Sequence, residues 1–420
     1  MSLNINYIAN IESQTDIISE IIKGNLRSHK LRLLRDSRII ENVIIGRYYK
    51  EMPTIVQRIC GNCSVSHNMA SIKAIEKAMK IEVSEETIKF RKIIECAQFI
   101  YSHSFNLFIL SVVHSMNIEN ELQSADEYSE ETKKIQKIRE YGIEIINLIG
   151  GRTIHPLTNE VGGFKKVPTK NEIKNLISKG EEILPAMIEI ADFFKNIKLP
   201  NFSRPTEYIC LKSNGEYAMY DGDVVSNKGL YVSKNDIENN FYAFHRPKEI
   251  IKRINPDSKT SYMVGAIARV NNNYDKLSNN AKRYLESLNF NKMDYNPFHN
   301  ILYKAAEIIH CIEESTKLLR EIANVDFTGA LTKEYTVQEG RAAAAIEDPR
   351  GTLYYWVDID AKGYIKNINI ITPTAQFLSN LEDDISVFIP GIKNVSEKEK
   401  EKKIRAFIRA YDPCMGCITR

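Results

Sequence analysis

The chain has 420 residues, 43% hydrophobic and 26% charged, an ordinary globular composition with enough apolar side chains for a large core. Its formal net charge of +3 is small for this length and the two signs are interspersed, which argues against a nucleic-acid-binding surface. No stretch approaches the roughly 18 apolar residues that a membrane span needs, and the first residues lack the basic start and apolar run of a secretory signal.

In chain order, residues 1–50 mix short apolar runs (Ile17–Ile22, Ile39–Ile45) with charges and predict a small α+β layer. From Glu51 to Leu148 apolar residues recur three or four apart, as in Ile72–Met79, Phe90–Phe99 and Phe105–Val113, which predicts helices. Ser84, followed by Glu85 and Glu86, reads as a helix start, and Gly150-Gly151 as a stop. Thr169 and Glu172 fit a capping box for a helix through Ile173–Phe194. Residues 205–245, rich in Tyr, Gly and Asp, predict short strands. Helices are expected near Asn280–Leu288 and Pro297–Ala323. Leu353–Ile359 and Tyr364–Ile371 flank Asp360-Ala361-Lys362-Gly363 and predict a hairpin, and a final helix spans Glu397–Tyr411. The tracts at 133–139 and 398–403 read as solvated helix faces. The predicted fold is mainly α with small β additions, one unit over residues 1–420 without a clear linker. Within it, 51–200 is a helical core, 201–375 is mixed, and 376–420 is helical again.

Seven cysteines are an odd set for disulfides. Cys96, Cys210 and Cys311 are isolated in apolar contexts and read as core residues. The other four form two C-x-x-C pairs, Cys60/Cys63 and Cys414/Cys417, each with a glycine between its thiols. Two thiolates at this spacing reach one metal, and Arg58 nearby favours thiolate over thiol. Neither pair follows a βαβ pattern, which argues against a thioredoxin-like redox pair. From spacing alone the pairs describe a metal site, with structural zinc its commonest form.

The residues around the pairs are more specific. Arg58-Ile59-Cys60-Gly61-Asn62-Cys63, with His67 four residues on, resembles the R-x-C-G-x-C-x-x-x-H signature of nickel–iron hydrogenase large subunits. Asp412-Pro413-Cys414-Met415-Gly416-Cys417, ending in Arg420, resembles their D-P-C-x-x-C-x-x-H/R signature. Glu347-Asp348-Pro349-Arg350-Gly351 is similar to their E-x-P-R-G segment, and Ile371–Thr374 to the segment beside it. Gly150–His155, Gly162–Lys170, Met263–Asn272 and Asn296–Phe298 are similar to the cytosolic multi-subunit branch of sulfhydrogenases and NAD(P)- or deazaflavin-coenzyme-reducing enzymes. The resemblance extends over nearly the whole chain.

The resemblance implies nickel held by all four cysteines, with Cys63 and Cys417 bridging to an iron that carries cyanide and carbon monoxide. Cys60 and Cys414 are then terminal nickel ligands. Dihydrogen splits heterolytically, and its proton passes to a terminal thiolate, Cys414, or a nearby base. Glu12 aligns with the glutamate that relays protons, and Arg350 with the arginine over the open metal position. Pro373 and Thr374 are expected to line the cyanide pocket, and His67 to hydrogen-bond a bridging thiolate. Electrons are expected to leave through a small subunit with iron–sulfur clusters, then through a flavin- or cluster-containing subunit. Maturation factors and a cytoplasmic location are further implications.

Six positions depart from the family pattern. Asn10, Ser13 and Gln14 replace the usual neighbours of the glutamate at Glu12. His114 stands where an aspartate accompanies the pocket arginine, so Arg350 is expected to lose its anionic partner or to bond a neutral His114. Phe377 replaces a common asparagine. Members ending in histidine bind a magnesium or similar ion with a glutamate that aligns with Glu41. Here the Arg420 guanidinium is expected to take that cation's place. These departures keep a second reading open, a hydrogenase-derived structural subunit with zinc or no metal.

Overall fold

The computed structural model describes residues 2–5, 15–22, 25–33, 40–107, 129–237, 241–245, 252–256, 261–290, 293–325, 327 and 331–417. The N-terminal layer is an antiparallel sheet of β1 (Ser2–Ile5), β2 (Thr15–Ile22) and β3 (Asn25–Leu33), followed by the short helix α1 (Ile40–Ile44). The centre is helical: α2 (Ser64–Ala78), α3 (Glu85–Phe105), α4 (Ser129–Gly150), α5 (Lys170–Lys195) and, after an intervening sheet, further helices. The predicted starts hold. Ser84 Oγ accepts from Thr87 N at 3.2 Å. Thr169 and Glu172 form the reciprocal capping box, Thr169 N donating to Glu172 Oε2 at 2.7 Å.

A second sheet has the order β7-β4-β5-β6, from β4 (Glu207–Lys212), β5 (Asp223–Ser226), β6 (Tyr231–Val232) and β7 (Tyr262–Met263). It leads into α6 (Ala266–Asn273) and the long α7 (Asn300–Ile322). Helix α7 packs on α3 and α5, and α4 packs on both of them, so apolar stripes at helical spacing close one core. Cys96, Cys210 and Cys311 are buried in that interior, as their sequence context predicts.

The third sheet, β8 (Gly340–Asp348), β9 (Gly351–Ile359) and β10 (Ile365–Ile371), is an antiparallel meander. Strand β8 lies along α2, with Gly340 against Ala78 at the end of that helix. A side chain at Gly340 would meet the Ala78 carbonyl oxygen at 1.9 Å, so only glycine permits the approach. Because β8 starts beside Ala78, the β8–β9 turn at Pro349-Arg350 falls at the opposite, cysteine-bearing end of α2. Helices α8 (Pro373–Gly391) and α9 (Glu397–Tyr411) complete the described chain, the latter at its predicted bounds. Among the described residues no helix is long and apolar enough to cross a membrane.

Candidate metal centre

The first cysteine pair sits where a short 3-10 turn, Gln57–Ile59, gives way to α2. Cys60 is extended and Cys63 is the residue before the helix, so both thiols project from the helix entrance. The second pair follows α9. That helix stops at Asp412, which adopts the left-handed conformation (φ 52°, ψ 52°) ahead of Pro413, a residue that cannot continue a helix. Cys414 and Cys417 then flank a single turn closed by Cys417 N donating to the Cys414 carbonyl at 3.2 Å.

Folding brings the two pairs together across 354 positions of sequence. Cys414 Sγ lies 3.0 Å from Cys417 Sγ and 3.6 Å from Cys60 Sγ, and Cys63 Sγ lies 3.7 Å from Cys417 Sγ. The sulfurs of Cys60, Cys63 and Cys417 all fall within 4.8 Å of one another, and all four residues are buried. The thiols of Cys414, Cys417 and Cys63, with the Arg350 guanidinium adding to them, hold Cys60 well below the usual thiol range. Burial and the same neighbours push Cys63 well above it. Four soft donors packed this closely and out of water can all ionise only around a cation, so the donor set fits a thiolate-bound metal.

The sequence model of the family described as nickel-dependent hydrogenase matches residues 38–141 and 254–420, which include both pairs. The chain belongs to the nickel-dependent hydrogenases. It is 28% identical to sulfhydrogenase 1 subunit alpha of Pyrococcus furiosus over 99% of this chain and 97% of that one. It is 23% identical to the beta subunit of the NAD-reducing hydrogenase HoxS of Cupriavidus necator, over 99% and 94% respectively. Its fold matches an NAD+-reducing [NiFe]-hydrogenase in the H2-reduced state with a TM-score of 0.90 at 22% identity, covering 100% of this chain and 99% of that one. The Ni-Fe-Se hydrogenase of D. vulgaris Hildenborough matches with a TM-score of 0.77 at 19% identity, and each chain is covered in full. The mainly helical fold expected from the sequence is the hydrogenase large-subunit fold.

In this hydrogenase His67 lies one turn into α2, with Nε2 3.8 Å from Cys417 Sγ and Nδ1 2.6 Å from the Tyr355 hydroxyl. If Tyr355 donates to Nδ1, the proton of the neutral ring sits on Nε2 and points at the sulfur. Thr374 Oγ1 accepts from Cys414 N at 3.0 Å, and Thr372 Oγ1 donates to the Cys417 carbonyl at 3.1 Å. Pro373 between them is the buried first residue of α8. Arg58 is exposed on its turn, so the guanidinium buried beside the thiols is that of Arg350.

Arg350 occupies the tip of the β8–β9 hairpin. Its Nε donates to the Asp412 carbonyl at 3.1 Å and its Nη2 to Asp412 Oδ1 at 3.2 Å. The expectation that this arginine lacks an anion is therefore corrected: Asp412, two residues before a cysteine, supplies one. His114, like Glu12 and Arg420, lies outside the described residues. Glu41 on α1 accepts from Ile370 N at 2.7 Å, so one of its oxygens is bound to strand β10. Phe377 is buried with its ring 5.7 Å from that of Tyr411.

The hairpin tip is held by residues to which the sequence analysis gave no role. The fully buried Arg269 on α6 binds Glu307 through Nε at 2.6 Å and Nη2 at 2.8 Å, and Glu347 through Nη1 at 2.8 Å. It also donates to the carbonyls of Asp348 and Pro349, both at 3.0 Å. Tyr217 and His103 complete the shell of Glu307 at 2.6 and 2.8 Å. Burial lowers His103 to about 4, so the ring is neutral and the Glu307 charge is matched by Arg269. Gly351, at φ +137°, lets the tip close: a side chain there would meet Val264 at 2.3 Å. Asp348 accepts from Arg350 N at 3.0 Å, and burial raises its carboxyl to about 6. Charged residues inside apolar stripes, such as Arg269 beside Val270 and Lys304 between Ile301 and Ile308, were the available signal.

Proposed function

We propose that this hydrogenase is the catalytic large subunit of a cytoplasmic multi-subunit nickel–iron enzyme, working as one unit over residues 1–420. The single observation that carries the reading is the contact of four buried thiols from opposite ends of the chain. Cys60, Cys63, Cys414 and Cys417 would hold the nickel, and Cys63 and Cys417 would also hold the iron, which in this family typically carries cyanide and carbon monoxide. When bound, this group supplies heterolytic cleavage of dihydrogen. Cys414 Sγ would receive the proton, the Arg350 guanidinium, a donor only, would stabilise charge beside the thiols, and Glu12 would pass the proton outward. His67 Nε2 donates to Cys417 Sγ and steadies the charge on that sulfur. Pro373 and Thr374 shape an apolar, single-donor wall for the diatomic ligands.

The remaining cysteines, Cys96, Cys210 and Cys311, are buried in the core, which supports placing iron–sulfur clusters in a small subunit and flavin or further clusters in another. Maturation factors load the centre. A cation at Glu41 and its replacement by Arg420 are alternatives at one position; metal density beside Glu41 would exclude the guanidinium.

Infrared spectra and elemental analysis of anaerobically purified protein, made with its own accessory factors, test the reading. Sharp carbonyl and cyanide bands with nickel and iron in equal amounts are expected. Zinc without those bands would replace it with a structural subunit.

A further inference from the structure

Asp412 is shared between two cations. Its Oδ1 meets Arg350 Nη2 at 3.2 Å, and its Oδ2 meets Lys304 Nζ at 2.8 Å. Lys304 belongs to α7, is 3% exposed, and donates also to Asn106 Oδ1 at 2.6 Å. A buried ammonium is retained only with close partners. Burial depresses its basicity and the Asp412 carboxylate offsets part of that loss. Lys304 also lines a cavity of about 390 Å³ whose wall includes Phe298, Ile301 and Phe388 and whose rim carries exposed Lys198 and Glu399. The ammonium thus stands between the residues around the thiols and a space that opens at the surface.

We infer that Lys304 is a positioning residue of the hydrogenase, one that sets where the Arg350 guanidinium stands. The inference rests on the metal-centre reading above. A carboxylate facing an arginine alone in a buried site closes a two-bond fork. Here Lys304 takes Oδ2, so Arg350 reaches one carboxylate oxygen and, through Nε, the backbone carbonyl of the same residue. That arrangement keeps the guanidinium at the tip of the β8–β9 hairpin, bonded to the residue that leads into the turn carrying Cys414. Without Lys304, Oδ2 becomes a second acceptor for Arg350, the fork closes, and the guanidinium is drawn toward Asp412. The pocket also loses one positive charge.

The test uses the fully matured complex with Lys304→Met, Lys304→Gln and Lys304→Arg. Infrared bands, nickel content and hydrogen-uptake kinetics are read together. In Lys304→Met, nickel content should be retained and the carbonyl and cyanide bands should move to lower wavenumber. Its kcat should fall about 10–100-fold, the usual effect of losing a group behind a ligand, with KM little changed. Lys304→Arg should return the bands and most of kcat. Lys304→Gln, which keeps a donor without the charge, should shift the bands and serves if Lys304→Met folds poorly. Loaded Lys304→Met or Lys304→Gln with wild-type bands and kcat would overturn the inference. So would band shifts that Lys304→Arg fails to reverse. Absence of the bands from the wild-type protein would instead strike the metal-centre reading and take this inference with it.

Discussion

The two cysteine pairs meet at one point but are held in different ways. Cys60 and Cys63 are fixed by secondary structure: they open α2, and Gln98 on α3 ties that entrance by accepting from Val65 N at 3.1 Å and donating to the Asn62 carbonyl at 2.5 Å. Cys414 and Cys417 lie on one turn beyond the last helix, held by side chains from elsewhere: Thr372 and Thr374 on its backbone, and Arg350 and Lys304 on Asp412. A helix terminus is positioned by many repeated bonds and core contacts, whereas a lone turn depends on each tether. The second pair should therefore be the more sensitive half of the centre.

The largest expected effect is at Arg269, which holds the hairpin tip that carries Arg350. Arg269→Met leaves Glu307 and Glu347 buried without their countercharge and releases two carbonyls at the hairpin tip. A loss of about 3–5 kcal/mol in urea unfolding is expected, with nickel retention reduced through Arg350. Retained stability would mean that the tip is held by its strands alone.

The comparison itself is sharpened by pairing Thr374→Val with Gln98→Leu. The first strands the buried Cys414 N–H and should cost about 1–3 kcal/mol. It should also speed nickel loss to a chelator. The second should cost a similar amount of stability yet leave nickel loss nearly unchanged, because α2 still carries Cys63. Equal rates of metal loss would erase the distinction between the two pairs.

A smaller effect concerns His103, behind Glu307. Its folded value of about 4 lies below the 6.5 of an unperturbed ring, so near pH 6 the unfolded chain takes up a proton that the folded chain refuses. Its contribution is fully present above pH 6.5 and is lost as pH falls toward 4. Stability should drop by about 1 kcal/mol between pH 8 and 6 from this group, and His103→Gln should flatten that part of the profile. An unchanged slope would assign the pH dependence to other groups.

Much of the frame was legible in local pattern. The Ser84 and Thr169 helix starts, the 353–371 hairpin and the Glu397–Tyr411 helix follow from caps, turn residues and apolar spacing, which act within a few residues of each other. The partner of Arg350 was not legible, because Asp412 is separated from it by 62 positions and the D-P-C-x-x-C signature by itself assigns that carboxylate no partner.

By itself the sequence determined that two cysteine pairs exist, that each can present its thiols to one metal, and that helices would carry them. Those properties depend on residue type and short spacing. Tertiary structure decided how the two pairs meet at the shared site that the family resemblance implies, that Asp412 answers Arg350, and that Lys304 and Arg269 stand behind them. The physical reason is that a buried charge must find its countercharge wherever packing places one, and packing joins residues that sequence distance keeps apart.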